Sequence, residues 1–265
     1  MSVNSQSQLP LPTRIYRCSL RNLRKALARI VAFFVPLSSC LNHFIYRLCA
    51  SRYQPLYPGG RADSRLKWLF NERWEAICKE LGPYTSGSAL DIGCNVGFFS
   101  FHLNELGYQV QGVEADPLNV YLCNSVIERR RLRNISFLNG MIDEAHVNSM
   151  PSFEVVLCLS VFHHIIRDNG EEKAREILSE LISKTERVIF MDIGHSSRSV
   201  EAFNLPSALG DDPVQWMTEL LTGCGCQQVN VIGHFDTSAE IDEKRYLFAG
   251  WTIPPPGIGR SVEQT

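Results

Sequence analysis

No Asp or Glu occurs in residues 1–60, although eight basic residues do: Arg14, Arg17, Arg21, Arg24, Lys25, Arg29, Arg47 and Arg52. Residues 61–265 therefore hold 18 of the 26 basic residues and all 28 acidic ones, a formal charge of −10 against −2 for the whole chain. The near-neutral total averages a basic arm and an acidic body. That argues against nucleic-acid binding over the whole surface, which needs positive charge along the phosphate track. No CxxC pair occurs either. The nine cysteines (18, 40, 49, 78, 94, 123, 158, 224 and 226) are odd in number and scattered. This speaks against a disulfide framework and for a reducing cytosol. Cys224 and Cys226 have no second His/Cys cluster at zinc-like spacing, so no metal site is expected. Nor is there an unbroken apolar run of the ~20 residues a membrane span needs. The uncharged stretch 30–46 is interrupted by Pro36, Asn42 and His43. The basic region is too long and the apolar one too late for a secretory signal, whereas an acid-free, Arg- and Ser-containing start resembles an organelle transit peptide.

What is present is ordinary globular composition, 45% hydrophobic and 20% charged over 265 residues. The length suits one large α/β domain, or one domain with an extension. In the arm, Leu20, Leu23, Leu27, Ile30 or Val31, and Phe34 recur at helical spacing, opposite Arg17, Arg21, Arg24, Lys25 and Arg29. Pro36 ends that pattern. Such a helix, within residues 17–35, packs its apolar face on the body, lies on an anionic membrane surface, or contacts a phosphate-bearing substrate or nucleic acid; the protein is expected to be cytoplasmic or peripheral to a membrane. Residues 1–13 read as disordered, and 51–62, rich in Pro and Gly, as a linker.

The body alternates strand and helix. A helix is expected over 63–81, with Leu66, Leu69 or Phe70, Trp74 and Ile77 on one face and Gly82-Pro83 at its end. A strand ending at residue 92 leads through a glycine turn into a helix over 98–106, capped by Gly107. Strands follow at 109–114, 135–138, 154–159 and 187–192. Helices are expected after Pro117, over 171–183 and over 213–221, with last strands near 229–232 and 246–249. This rhythm predicts an α/β fold, a mostly parallel sheet with helices on both faces. The domains read as the arm, 1–60, a catalytic body, 61–253, and a tail, 254–265.

The chemistry gathers at the first two strand ends, where parallel sheets bind ligands. Strand one runs into Asp91-Ile92-Gly93-Cys94-Asn95-Val96-Gly97. Glycines there let a ligand approach the backbone. Seventeen positions after Gly97, Glu114 closes strand two, where a carboxylate can accept hydrogen bonds from ribose hydroxyls. A dinucleotide site would show G-x-G-x-x-G, with pyrophosphate on the helix N-terminus. The spacing here is G-x-x-x-G, preceded by Asp91. An acid repels pyrophosphate and favours a cationic or amino-bearing ligand. S-adenosylmethionine, a sulfonium with no phosphate, fits these electrostatics better than NAD.

With these residues in view, the chain resembles the class I S-adenosylmethionine-dependent methyltransferases. LDIGCNVGFFS (90–100), VQGVEADP (110–117), FEVVLCLSVFHHI (153–165) and RVIFMDIG (187–194) occur in the family's order and spacing. The resemblance covers roughly 63–250. It implies a Rossmann-like sheet of seven strands, the last antiparallel. It also implies that Asp91, Gly93, Asn95 and Gly97 line the methionine and ribose, that Glu114 holds the ribose hydroxyls, and that Ala115 flanks adenine. Gly140, Met141 and Ile142 would form the adenine-side loop, and Leu159 and Ser160 would lie beneath the reactive methyl. The family often has glycine at Asn95 and an acid at Met141. Asparagine tolerates turn geometry, and Met141 implies that adenine is held by backbone and apolar packing. The run DIGCNVGFFSF has a weaker likeness to the branch that modifies the wobble uridine of transfer RNA.

Methyl transfer needs an aligned acceptor and, for a hydroxyl or amine, a base. His163 and His164, after strand four, are the candidates, with His195 after strand five a third. Each has an ordinary alternative as a loop-shaping or solvated histidine. Asp168 and Glu171 read as helix-starting acids, and Arg129, Arg130, Arg131 and Arg133 as a solvated helix end. The expected activity is methylation of an oxygen or nitrogen on a small-molecule, sugar or lipid acceptor. The alternatives are a transfer-RNA methyltransferase and a non-catalytic, methyltransferase-like binding protein.

Overall fold

The structure, a computed structural model, describes Gln54, residues 64–236 and residues 244–255. The basic arm with its expected helix at 17–35, and the tail from 256, lie outside the described residues. In chain order the elements are α1 (Ser64–Leu81), β1 (Gly87–Ile92), α2 (Phe98–Leu106), β2 (Tyr108–Glu114), α3 (Pro117–Arg130), β3 (Ile135–Asn139), α4 (Glu144–Ser149), β4 (Phe153–Leu159), α5 (Phe162–Asn169), α6 (Glu171–Ser183), β5 (Thr185–Asp192), α7 (Ser197–Phe203), α8 (Ser207–Asp211), α9 (Pro213–Gly223), β6 (Gln228–Asp236) and β7 (Lys244–Trp251). The seven strands form one sheet in the order β3-β2-β1-β4-β5-β7-β6. Strands β1 to β5 pair in parallel, and β7 runs antiparallel to both β5 and β6.

The central strands carry apolar runs, Val155–Leu159 in β4 and Val188–Met191 in β5, because both faces are covered there. Successive side chains alternate between two layers. Leu90 and Ile92 of β1, Val156 and Cys158 of β4, and Ile189 and Met191 of β5 pack with Ile166, Leu178, Leu181, Met217 and Leu220 from α5, α6 and α9. The intervening Ala89, Val155, Leu157, Val188 and Phe190 pack with Phe70 and Ile77 of α1 and Phe98, Phe99 and Leu103 of α2. A third cluster joins Phe101, Val120, Cys123, Val126 and Phe137 at the β3 edge. Fully burying each such side chain contributes roughly 1.5–3 kcal/mol.

Local signals set the element ends. Gly107 takes φ 115 and closes α2, and Asp116 caps α3 with Pro117 in its first turn. Arg129 and Arg130 fill the last turn of α3, and Arg131, at φ 54, caps it. Four short helices (α4, α5, α7 and α8) were not expected from the sequence. Asp168 does not start a helix: it lies in α5 and pairs with Arg167. Glu171 does open α6. Cys224 caps α9, and both it and Cys226 are buried.

Strand order reverses between β1 and β4, which places a crevice at the carboxyl ends of β1, β2, β4 and β5.

Candidate active site

The turn after β1 is held from beneath. The Gly93 and Cys94 N–H groups both donate to the Val113 carbonyl, at 2.8 and 3.2 Å. The Asn95 N–H donates to Glu114 Oε2 at 2.9 Å, and the Val96 N–H to Asn95 Oδ1 at 2.9 Å. The Gly97 N–H donates to the Cys94 carbonyl at 2.9 Å, and the Phe98 N–H to Gln54 Oε1 at 3.3 Å. All six amides from 93 to 98 are thus engaged within the chain. A phosphate needs such amides pointing outward, and here they are committed. The donor set fits an adenosine cofactor without phosphates.

Three residues of the turn have left-handed backbone: Gly93 at φ 64, Asn95 at φ 55 and Gly97 at φ 80. Glycine at 93 is required twice over, because a Cβ there would also lie 2.3 Å from Val161 Cγ2. Asparagine supports the same conformation at 95 through its side-chain bond to Val96.

Glu114 closes β2 with each oxygen bound by one backbone N–H, from Asn95 and from Asp116 at 2.7 Å. A carboxylate offers about four acceptor sites, so it retains capacity for ribose hydroxyls. Burial raises its pKa, opposed by those two N–H groups. Asp91 lies deeper, 3% exposed, and its Oδ2 accepts from the Ser100 hydroxyl at 2.5 Å. Burial pushes its pKa up to about 7; the Ser100 bond opposes this and the charge of Glu114 adds to it. A bound cation would draw Asp91 back to the charged form. Ala115 and Met141 are exposed, Ile142 is buried in the core, and Asn139 Nδ2 donates to the carbonyls of Glu114 and Ala115.

The second half of the site follows β4. Leu159 pairs with Asp192 across β4 and β5. Ser160 follows in left-handed backbone, φ 58. That conformation costs roughly 1–2 kcal/mol for a residue with a Cβ. It is held by Asp192 Oδ1, which accepts from the Ser160 N–H at 2.8 Å and its hydroxyl at 2.9 Å. Asp192 Oδ2 is ion-paired with Arg73 of α1, both side chains being nearly fully buried. A second cation, Arg245 of β7, stands 3.8 Å from Oδ1.

His163 and His164 sit in the first turn of α5 and differ in surroundings. His163 is 3% exposed, packed against Phe203 and His164 at ring distances of 4.4 and 4.3 Å, and its Nδ1 has no hydrogen-bond partner. Burial, with His164, Arg245 and Arg167 nearby, lowers its pKa well below 6.5. The ring therefore stays neutral and keeps a lone pair. The exposed His164 presents Nδ1 to Arg167 Nη1 at 3.1 Å, and Arg167 is itself held by Asp168. Arg167 has only protons to give, so it uses the lone pair of His164 Nδ1. Packing of that ring and the charge of Arg167 lower its pKa too. His195 belongs to another group, 5.6 Å from the Tyr246 ring and 6.2 Å from His234.

Three participants escape a sequence reading. Gln54 falls in the stretch expected to be a linker, yet it is buried and caps the start of α2, where Gly97 offers no side chain. Nothing in the sequence marks it. Arg73 does carry a signal, as a charge within the apolar run Phe70, Trp74, Ile77. Asp192 reads as a strand end, but its two cationic partners, Arg73 and Arg245, come from distant segments.

A family model described as a methyltransferase domain matches residues 90–184. Among curated proteins, the O-antigen chain terminator bifunctional methyltransferase/kinase WbdD of Escherichia coli is 29% identical over 170 residues, covering 64% of this chain and 22% of that protein. A tRNA U34 carboxymethyltransferase of Actinobacillus pleuropneumoniae serotype 3 is 23% identical over 152 residues, covering 56% of this chain and 46% of that protein. The chain thus spans less than half the length of these relatives. Among solved structures, a crystal structure of WbdD has a TM-score of 0.61 at 24% identity, covering 80% of this chain and 47% of that one. The magnesium protoporphyrin IX methyltransferase ChlM from Synechocystis PCC 6803, crystallised with bound SAM, has a TM-score of 0.53 at 18% identity, covering 82% of this chain and 99% of that one.

Proposed function

Since the chain belongs to the class I S-adenosylmethionine-dependent methyltransferases, we propose that it uses S-adenosylmethionine to methylate an oxygen or nitrogen of a small-molecule, sugar or lipid acceptor, with a sugar-bearing acceptor foremost. The observation that carries the cofactor is the commitment of all six amides from 93 to 98, beside an acidic Asp91 and Glu114. When bound, the cofactor supplies an electrophilic methyl on sulfur. Glu114 would accept from the ribose hydroxyls, and Asp91 would complement the positive charge. Ala115, Met141 and Ile142 would border the adenine, and Leu159 and Ser160 the methyl. The sugar preference rests on the likeness to WbdD, which extends over 64% of the chain.

His163 is the residue proposed to take the acceptor's proton. Its support is a buried, neutral ring with an unpartnered Nδ1 beside the turn after β4. His164 is the weaker base because Arg167 already donates to it.

RNA is the second reading, favoured by the likeness to the tRNA U34 carboxymethyltransferase. It is opposed by the formal −10 charge of residues 61–265, since phosphate contacts require Lys and Arg. Incubation of the purified protein with methyl-labelled S-adenosylmethionine and separated glycan, lipid and RNA fractions of cell extract tests both readings. Label in the glycan fraction is expected. Label confined to RNA would overturn the sugar proposal.

A further inference from the structure

We propose that Arg73 is a positioning residue for methyl transfer: through its ion pair with Asp192 it fixes the Ser160–Val161 turn that closes the methyl side of the cofactor site. This rests on the functional reading above, which puts the cofactor's methyl over Ser160.

Three observations on different elements combine. Ser160 holds a left-handed backbone, with its N–H and hydroxyl both donated to one oxygen of Asp192. A non-glycine residue stays in that conformation only where its surroundings over-determine it, and such strain gathers at functional sites. Asp192 is 1% exposed, and a buried carboxylate keeps a fixed charge and direction only with a cation in good geometry. Arg73, 2% exposed, provides that cation on the other oxygen. Its guanidinium lies 5.5 Å from the Phe99 ring centroid and 5.7 Å from that of Phe70, so its plane is held by α2 and α1. Next to Ser160, Val161 presses on the cofactor turn itself, its Cγ2 occupying the space a Cβ on Gly93 would need. A displacement of the Ser160–Val161 turn therefore reaches the cofactor turn directly. The chain of contact runs from Arg73 to Asp192 to Ser160, then through Val161 to Gly93. Arg73 lies outside the segment 90–184 that the family model matches.

Arg73→Lys keeps the charge but loses the planar fork. The test follows the carbon resonance of [methyl-13C]S-adenosylmethionine bound to the full chain, with cofactor affinity and thermal unfolding measured in parallel. For Arg73→Lys, the expected result is a cofactor Kd within about threefold of wild type and a displaced or broadened methyl resonance. Transfer to the identified acceptor should slow by about tenfold through kcat rather than KM. Ser160→Ala, which removes one of the two bonds to Asp192, should move the same resonance, and it carries the test if Arg73→Lys does not fold. A methyl resonance superimposable on wild type in a folded Arg73→Lys variant would overturn the proposal and leave the pair a structural tie. No bound methyl signal in wild type would overturn instead the functional reading, and this inference with it.

Discussion

Asp91→Asn separates what the site costs in stability from what it does. Asp91 is buried, and its pKa rises from 3.8 to about 7, chiefly by loss of solvation. Between those values the folded protein holds a proton that the unfolded chain releases. Stability therefore falls as pH rises through this window, and the cost is complete above about pH 7. A shift of about three pKa units at 1.36 kcal/mol each amounts to about 4 kcal/mol, an upper bound for a site that can relax. Asparagine cannot ionise, yet its oxygen can still accept from Ser100, now 2.5 Å from the Asp91 carboxylate. Urea unfolding of the cofactor-free protein at pH steps from 4 to 8.5 provides the assay. The variant should gain on wild type steadily above pH 4 and exceed it by up to about 4 kcal/mol at pH 8, while binding the cofactor more weakly. Parallel pH profiles for the two proteins would refute the reasoning. They would mean that Asp91 is solvated or already neutralised by another group.

Gly93→Ala introduces a Cβ at φ 64 and 2.3 Å from Val161 Cγ2; a loss of about 2 kcal/mol or more in urea unfolding is expected, and a loss under about 0.5 kcal/mol would contradict the packing described. Once an acceptor is in hand, His163→Ala should lower kcat by about a hundredfold or more, whereas His164→Ala should change it by less than about fivefold. The reverse order would assign the base to His164. Glu114→Gln keeps one acceptor oxygen but removes the charge; cofactor Kd measured by calorimetry should rise by roughly tenfold or more, and an unchanged Kd would remove Glu114 from the ribose site.

Much of the fold was legible because its central strands obey a simple rule. A strand covered on both faces is continuously apolar, and β4 and β5 read that way in 155–159 and 188–191. Turn chemistry was equally plain at Gly107 and at Asp116-Pro117. The short helices α4, α5, α7 and α8 were not, since five to eight residues give too little periodicity to tell a helix from a loop. The cofactor turn was readable because its carboxylates and glycines lie within 24 residues of one another. The grouping around Asp192 was not, because Arg73, Ser160, Asp192 and Arg245 come from separate segments joined only by the fold. The sequence does not separate His163 from His164, for a related reason. They are adjacent in the chain, but the helix turns one into the core and the other toward Arg167.

The central claim is that the turn from 93 to 98 serves a phosphate-free sulfonium cofactor. Isothermal titration of the full chain with S-adenosylmethionine, and separately with NAD, tests it most directly. Saturable binding of S-adenosylmethionine, weakened by roughly a hundredfold in Glu114→Ala through loss of two charge-assisted hydrogen bonds, with no heat from NAD, is the result predicted. Binding of NAD, or no binding of S-adenosylmethionine to the folded wild-type protein, would contradict it.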